Sequence, residues 1–166
     1  MNDEDVSKAL WNAMAVENST NLIFEQYKIY VEMADRISAR RDVANAFFLS
    51  LNGFFLSSSP IIAEKFFSNQ LKWVILFPYI VTVILLYLWK RIIESYKQIN
   101  RAKFRIIGVL EEKLPARPYG KTEWELLLKN GEDKNTYWPI THIEAKIPWV
   151  FFAGYTISLV IFLCYK

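Results

Sequence analysis

Residues 73–89, WVILFPYIVTVILLYLW, and residues 147–165, IPWVFFAGYTISLVIFLCY, decide the fold. Neither stretch holds a Lys, Arg, Asp or Glu, and wound as a helix each is apolar on every face. A third uncharged window lies upstream at 43–62, VANAFFLSLNGFFLSSSPII. Windows of this size cover roughly 25–30 Å as helices, close to the ~30 Å hydrocarbon thickness of a bilayer. Burial inside a soluble domain is the competing reading. With only 22% of 166 residues charged, too little polar chain is left to cover three such helices. The expected fold class is therefore an all-α integral membrane protein. Its transmembrane helices are expected at 42–67, 71–89 and 147–165, with helical segments outside the bilayer at 1–41 and 90–146.

The flanks agree. Trp73, Tyr79, Tyr87, Trp89, Trp149 and Tyr165 stand near window ends, where amphipathic rings favour the headgroup region. Pro78 and Pro148 are candidate kinks. Arg36, Arg40 and Arg41 precede the first window, and Lys90, Arg91, Lys97, Arg101, Lys103 and Arg105 follow the second. The connection between those windows holds only Lys65, with Lys72 at its edge. The positive-inside rule then expects the N-terminus and 90–146 in the cytoplasm and the C-terminus outside. The opening MNDEDVSKAL is acidic and lacks an apolar h-region, so no secretory signal is expected.

Between 22 and 41, Ile23, Tyr27, Tyr30, Ala34 and Ile37 recur at alternating steps of four and three. That is the seam of a coiled coil, and it needs a partner: the 90–113 helix of the same chain or a neighbouring subunit. Thr20 or Asn21 is expected to cap this helix. Ile92, Tyr96, Ile99, Ile106 and Leu110 form the expected apolar side of the later helix, which Pro115 ends. Thr122 with Glu125, and Thr141 with Glu144, have the spacing of capping boxes. The first opens a short helix closed by Asn130-Gly131; the second opens the helix that enters the third window.

Chemistry-bearing patterns are scarce. One Cys and one His exclude a disulfide framework and a Cys-based metal cage. A net charge of +3 gives no reason to expect nucleic acid. No Gly-rich phosphate loop exists among five scattered glycines. His142 has no positioned partner for general acid–base work, and Cys164 has no basic neighbour to lower its pKa. Glu32 and Asp35 have metal-ligand spacing, but Glu32 and Arg36 are better read as an i, i+4 ion pair. The acids Glu111–Glu112 lack a recognisable nucleophile or base. No catalytic, cofactor or metal residues are expected, and the chain is expected not to be an enzyme.

The first window carries the informative polar residues. Asn45, Asn52 and Ser59 repeat every seven positions on one face, which Ser38 and Asp42 prolong. Asn is costly in hydrocarbon, so this face turns from lipid. Either it hydrogen-bonds across helices, at about 0.5–2 kcal/mol per bond, or it lines a water-filled axis. Gly53 allows close backbone approach in both.

The run YKIYVEMADRISARRDVANAFFLSLN (27–52) resembles the RipA-type family of small bacterial octameric membrane proteins. So do, in the same order, KLPARPY (113–119), TEWELL (122–127), GED (131–133), YWPITHIE (137–144) and PWVF (148–151). The acidic first twenty residues fall outside it. The resemblance implies a homo-octamer of the bacterial cytoplasmic (inner) membrane that adapts bacteria to host or environment, with no enzymatic residues to carry over. The residues themselves supply a ring-like homo-oligomer only through the unpaired seam. The expected function is a scaffold or regulator of the envelope, or a pore, with copies of itself and membrane lipid as partners. The alternative is a membrane-permeabilising effector of a bacterial defence or toxin module.

Overall fold

The computed structural model of the chain describes residues 3–12, 20–67, 75–128 and 140–164. Every regular element among them is helical: α1 (Asp3–Leu10), α2 (Thr20–Phe67), α3 (Leu76–Glu111), a π-helical turn (Pro118–Thr122), α4 (Glu123–Leu128), α5 (Ile140–Glu144) and α6 (Ile147–Cys164). Trp73, Asn130, Gly131 and Tyr165 lie outside the described residues. The two long helices run unbroken: at 1.5 Å per residue, the 48 residues of α2 span about 70 Å.

Prolines explain how that continuity is kept. Pro60 lies inside α2 and has no N–H to donate to the carbonyl of Leu56. The Ser59 hydroxyl donates to that same carbonyl at 2.8 Å. The neighbouring hydroxyls of Ser57 and Ser58 both donate to Phe54 O, so the serine run satisfies backbone around the proline. Pro78 and Pro148 kink nothing: each sits in the first turn of its helix, where a missing N–H costs no helical bond. The helical run breaks between α5 and α6. Lys146 N–H donates to Ile143 O at 2.9 Å, and Trp149 N–H to Lys146 O at 3.0 Å. Thr20 and Asn21 are both already helical.

The chain forms two compact units, Met1–Arg40 with Tyr96–Pro139, and Arg41–Ser95 with Ile140–Lys166. In the first unit, the N-terminal part of α2 lies along the C-terminal part of α3. Ala34 is buried on the seam, and Ile23, Tyr27, Tyr30 and Ile37 are half-buried. Lys103 Nζ stands 5.0 Å over the Tyr30 ring, and Asn100 Nδ2 donates to Ser38 Oγ at 3.1 Å. The apolar side expected for α3 is rotated. Ile107, Val109, Leu110 and Glu111 are buried, whereas Ile99 is exposed. Counting apolar residues misplaces this face because Asn100 and Lys103 belong to it. α1 packs through buried Val6. Ala9 and Leu10 of α1 and Ala102, Arg105 and Ile106 of α3 line a small cavity of about 250 Å³ with it.

The second unit has a core of Leu86, Trp89, Ile93 and Tyr155, with Phe48, Leu56, Phe151 and Phe152 packed around it. Phe48 stacks on Trp89 at 5.6 Å between ring centroids. Gly154 of α6 faces Leu56 of α2, where a Cβ would make an ordinary contact at 3.5 Å, so the approach does not depend on glycine. Gly53, expected at a close approach, faces open space.

Candidate functional site

In the 42–67 segment Asn52 is buried and Asn45 and Ser59 are half-buried, while Asp42, Ser50 and Ser57 are exposed. Asn45 Oδ1 accepts the Trp89 indole N–H at 3.0 Å, which ties α2 to α3. Asn52 is 1% exposed. Its Nδ2 donates to Phe48 O at 2.8 Å, while Tyr155 OH of α6 donates to its backbone carbonyl at 2.9 Å and lies 3.3 Å from Oδ1. Ser59 serves the Pro60 gap described above. Across the same unit, Tyr79 OH and Thr156 Oγ1 are 3.1 Å apart. Asn45 and Asn52 thus bond to α3 and α6 of their own chain, while Asn52 Nδ2 and Ser59 bond within α2.

The outward surface of this unit is apolar. Phe47 and Phe54 of α2, Phe77, Ile84 and Tyr87 of α3, and Val150, Ile157 and Ile161 of α6 are all exposed. Polar groups inside and large hydrocarbons outside reverse the arrangement water selects, and match what lipid selects. By length and composition α3 (Leu76–Glu111) and the stretch His142–Cys164 are able to cross a membrane.

Charge gathers at one level of this unit. Arg41 Nε lies 3.4 Å from Glu144 Oε2, and both side chains are largely buried (12% and 13% exposed). The separation suits ion pairing, while the geometry is not that of an aligned hydrogen bond. Glu144 thus answers the charge of Arg41; the Thr141 side chain of the expected box lies outside what is described. Lys90 Nζ sits 5.1 Å over the Trp149 ring.

In the first unit the best-built polar site is one the sequence reading passed over. Glu111 has no exposed surface. Its Oε1 accepts Tyr27 OH at 3.1 Å and Tyr119 N–H at 3.0 Å, and its Oε2 accepts Gly120 N–H at 2.7 Å. Three donors thus converge on one carboxylate, the last residue of α3. They clamp the π-turn, and through Tyr27 the seam of α2. Burial first, and then the facing carboxylate, push the Tyr27 phenol up to about 12. Gly120 is required by space: a Cβ there would meet Glu111 Oε2 at 2.9 Å and Gly108 Cα at 3.0 Å. The discoverable signal was the Pro-Tyr-Gly run at 118–120, whose glycine permits such an approach. The Thr122 hydroxyl, at the end of the π-turn, donates to Arg117 O at 2.9 Å.

The seam residues Tyr27 and Tyr30 thus reach α3 of their own chain. Glu32 and Arg36 pair at 2.6 Å on the exposed surface. His142 and Cys164 are exposed. Among the described residues no three His, Cys, Asp or Glu side chains are grouped to hold a metal ion.

An all-helical chain with two helices long and apolar enough to span, and with its apolar surface turned outward, is a membrane protein by class. The chain belongs to the octameric membrane protein family (8xMP), whose family model matches residues 24–164. No curated protein and no solved structure matches it. The matched span begins after α1, so α1 and its contact with α3 lie outside the family's common part.

Proposed function

We propose that the protein is the subunit of a homo-octamer that crosses the bacterial inner membrane three times and acts as a scaffold or regulator of the envelope, without enzymatic activity. The observation that carries the lipid-embedded reading is the inverted polarity of the second unit. Asn52, Thr82 and Tyr155 are buried while Phe77, Val150 and Ile157 are exposed. That pattern includes the 42–67 segment, because Asn45 and Asn52 make their bonds to spanning helices and Phe47 and Phe54 face outward. A first span over 42–67, beside the two apolar helices, makes three. The octameric state comes from the family description. The charge asymmetry supports a cytoplasmic first unit and an α6 that ends outside. With Asn52 enclosed within the subunit, interhelical bonding is favoured for it over a place on a water-filled axis.

Cys164, the sole cysteine and exposed, is a native reporter for orientation. In spheroplasts a membrane-impermeant maleimide is expected to label Cys164. A Cys164→Ser, Ser7→Cys variant is expected to label only in inverted vesicles. The opposite pattern would overturn the orientation, and labelling of both from one side would overturn the odd number of spans.

A further inference from the structure

The family description says that copies meet but not where, and the seam of α2 is taken up by α3 of the same chain. Exposed apolar side chains remain in the first unit, where Glu25, Lys28, Glu32, Asp35 and Arg36 exclude a hydrocarbon environment. At 100° per residue, Leu22, Ile29 and Met33 point within about 20° of one direction on α2, roughly 100° from the middle of the seam. All three are exposed, Ile29 at 54%. Met33 Sδ lies 3.9 Å from Lys103 Nζ, which fixes this flank as the one on which α3 carries exposed Ile99. The other flank is marked by Tyr27, which reaches Glu111 and with it Tyr119. There α2 presents Phe24 and α3 presents Phe104, whose ring is 6.4 Å from that of Tyr119.

Two apolar patches therefore lie on opposite flanks of the α2–α3 pair. A self-complementary contact needs only one patch; a closed ring of more than two copies needs two different ones, each meeting the other on the next subunit. Both patches have charged rims: Glu25 and Glu32, paired with Lys28 and Arg36 of the same helix, border the Ile29 patch, and Lys97 and Arg101 lie on the Phe104 flank. We infer that the water-side interface of the octamer is head-to-tail, the Leu22–Ile29–Met33 face of one copy seated on the Phe24–Phe104 face of the next. This rests on the octameric reading above and names the surface that would build it.

The test joins two singly substituted chains, Ile29→Cys and Phe104→Cys, each with Cys164→Ser and a different tag, co-expressed and treated in membranes with a short bismaleimide. The expected product carries both tags. Ile29→Cys linked only to itself would overturn the head-to-tail arrangement. No linkage, in a preparation whose unsubstituted chain has the mass of an octamer, would overturn the interface and leave the octamer standing. A monomeric unsubstituted chain would overturn both. Independently, Met33→Glu should lower the octamer fraction at least tenfold with helical circular dichroism unchanged; an undiminished octamer would count against this face.

Discussion

Replacing Glu111 by Gln tests the carboxylate clamp at the end of α3 with the least change of shape. The amide keeps one oxygen and turns the other into a donor. In the better of its two orientations the oxygen stays on Tyr27 OH and Tyr119 N–H, and the NH₂ group faces Gly120 N–H, which now donates at 2.7 Å. A hydrogen bond to a charged acceptor contributes about 1.5–3 kcal/mol, and a buried donor left without an acceptor costs about 1–3 kcal/mol. The two descriptions overlap, so about 2–3 kcal/mol is the expected local loss. It falls on the π-turn and on the α3 terminus it holds. Amide hydrogen exchange reads that loss directly: at 1.4 kcal/mol per factor of ten, Tyr119 and Gly120 should exchange about 30- to 140-fold faster. Amides in the middle of α6 should not change. Tyr27→Phe removes a different one of the three donors and should cost about 1 kcal/mol, most of it still seen in the Glu111→Gln background, where the amide oxygen keeps the phenol. Unchanged exchange at Tyr119 and Gly120 in Glu111→Gln would refute the clamp.

Other expectations follow from the same contacts. Gly120→Ala should destabilise by about 1–3 kcal/mol because its Cβ meets Glu111 and Gly108 at 3.0 Å or less, whereas Gly108→Ala, with its nearest contact at 3.6 Å, should be neutral or stabilising; thermal unfolding of both in detergent checks the contrast. Ser59→Ala should cost about 1 kcal/mol by leaving Leu56 O without a donor, and Ser59→Ala with Pro60→Ala should recover it through the restored N–H; a double mutant no better than the single would refute the repair. Tyr155→Phe should weaken α2–α6 packing by about 0.6–1.7 kcal/mol, read as a lower midpoint of unfolding in mixed micelles. Because the Tyr27 phenol is held at about 12 against the ordinary 10, the unfolded chain ionises first as pH rises. Stability from this group is complete below pH 10 and is lost between about 10 and 12, so wild type should fall more steeply there than Tyr27→Phe.

What could be read from sequence and what could not divide along a physical line. The apolar runs in α3 and α6 are one-dimensional signals, because lipid accepts hydrocarbon on every face. The seam Ile23–Ile37 was likewise visible as a period, and Tyr27 and Tyr30 lie on it. The identity of its partner was not, since a period specifies a face and not what lies opposite. The apolar side of α3 was rotated because Asn100 and Lys103 sit on the packed face, each with a specific contact to α2 that residue type does not announce. Glu111 looked like part of an acidic pair. Only the return of Tyr119 and Gly120 over the helix end makes it an acceptor for three donors. Glu144 resembled a cap partner by spacing, while its charge is answered by Arg41, about a hundred residues earlier. In the 42–67 segment the seven-residue repeat of Asn45, Asn52 and Ser59 was legible. The three turn out to do different things: one bonds an indole, one a phenol, and one a carbonyl left open by a proline.

The central claim is a membrane-embedded assembly of eight copies, and its mass is the most direct test. Native mass spectrometry of the full chain, extracted in lipid nanodiscs, should give one dominant protein species at eight times the 19.6 kDa subunit. A monomer or a dimer as the dominant species, stable across lipid compositions, would contradict it.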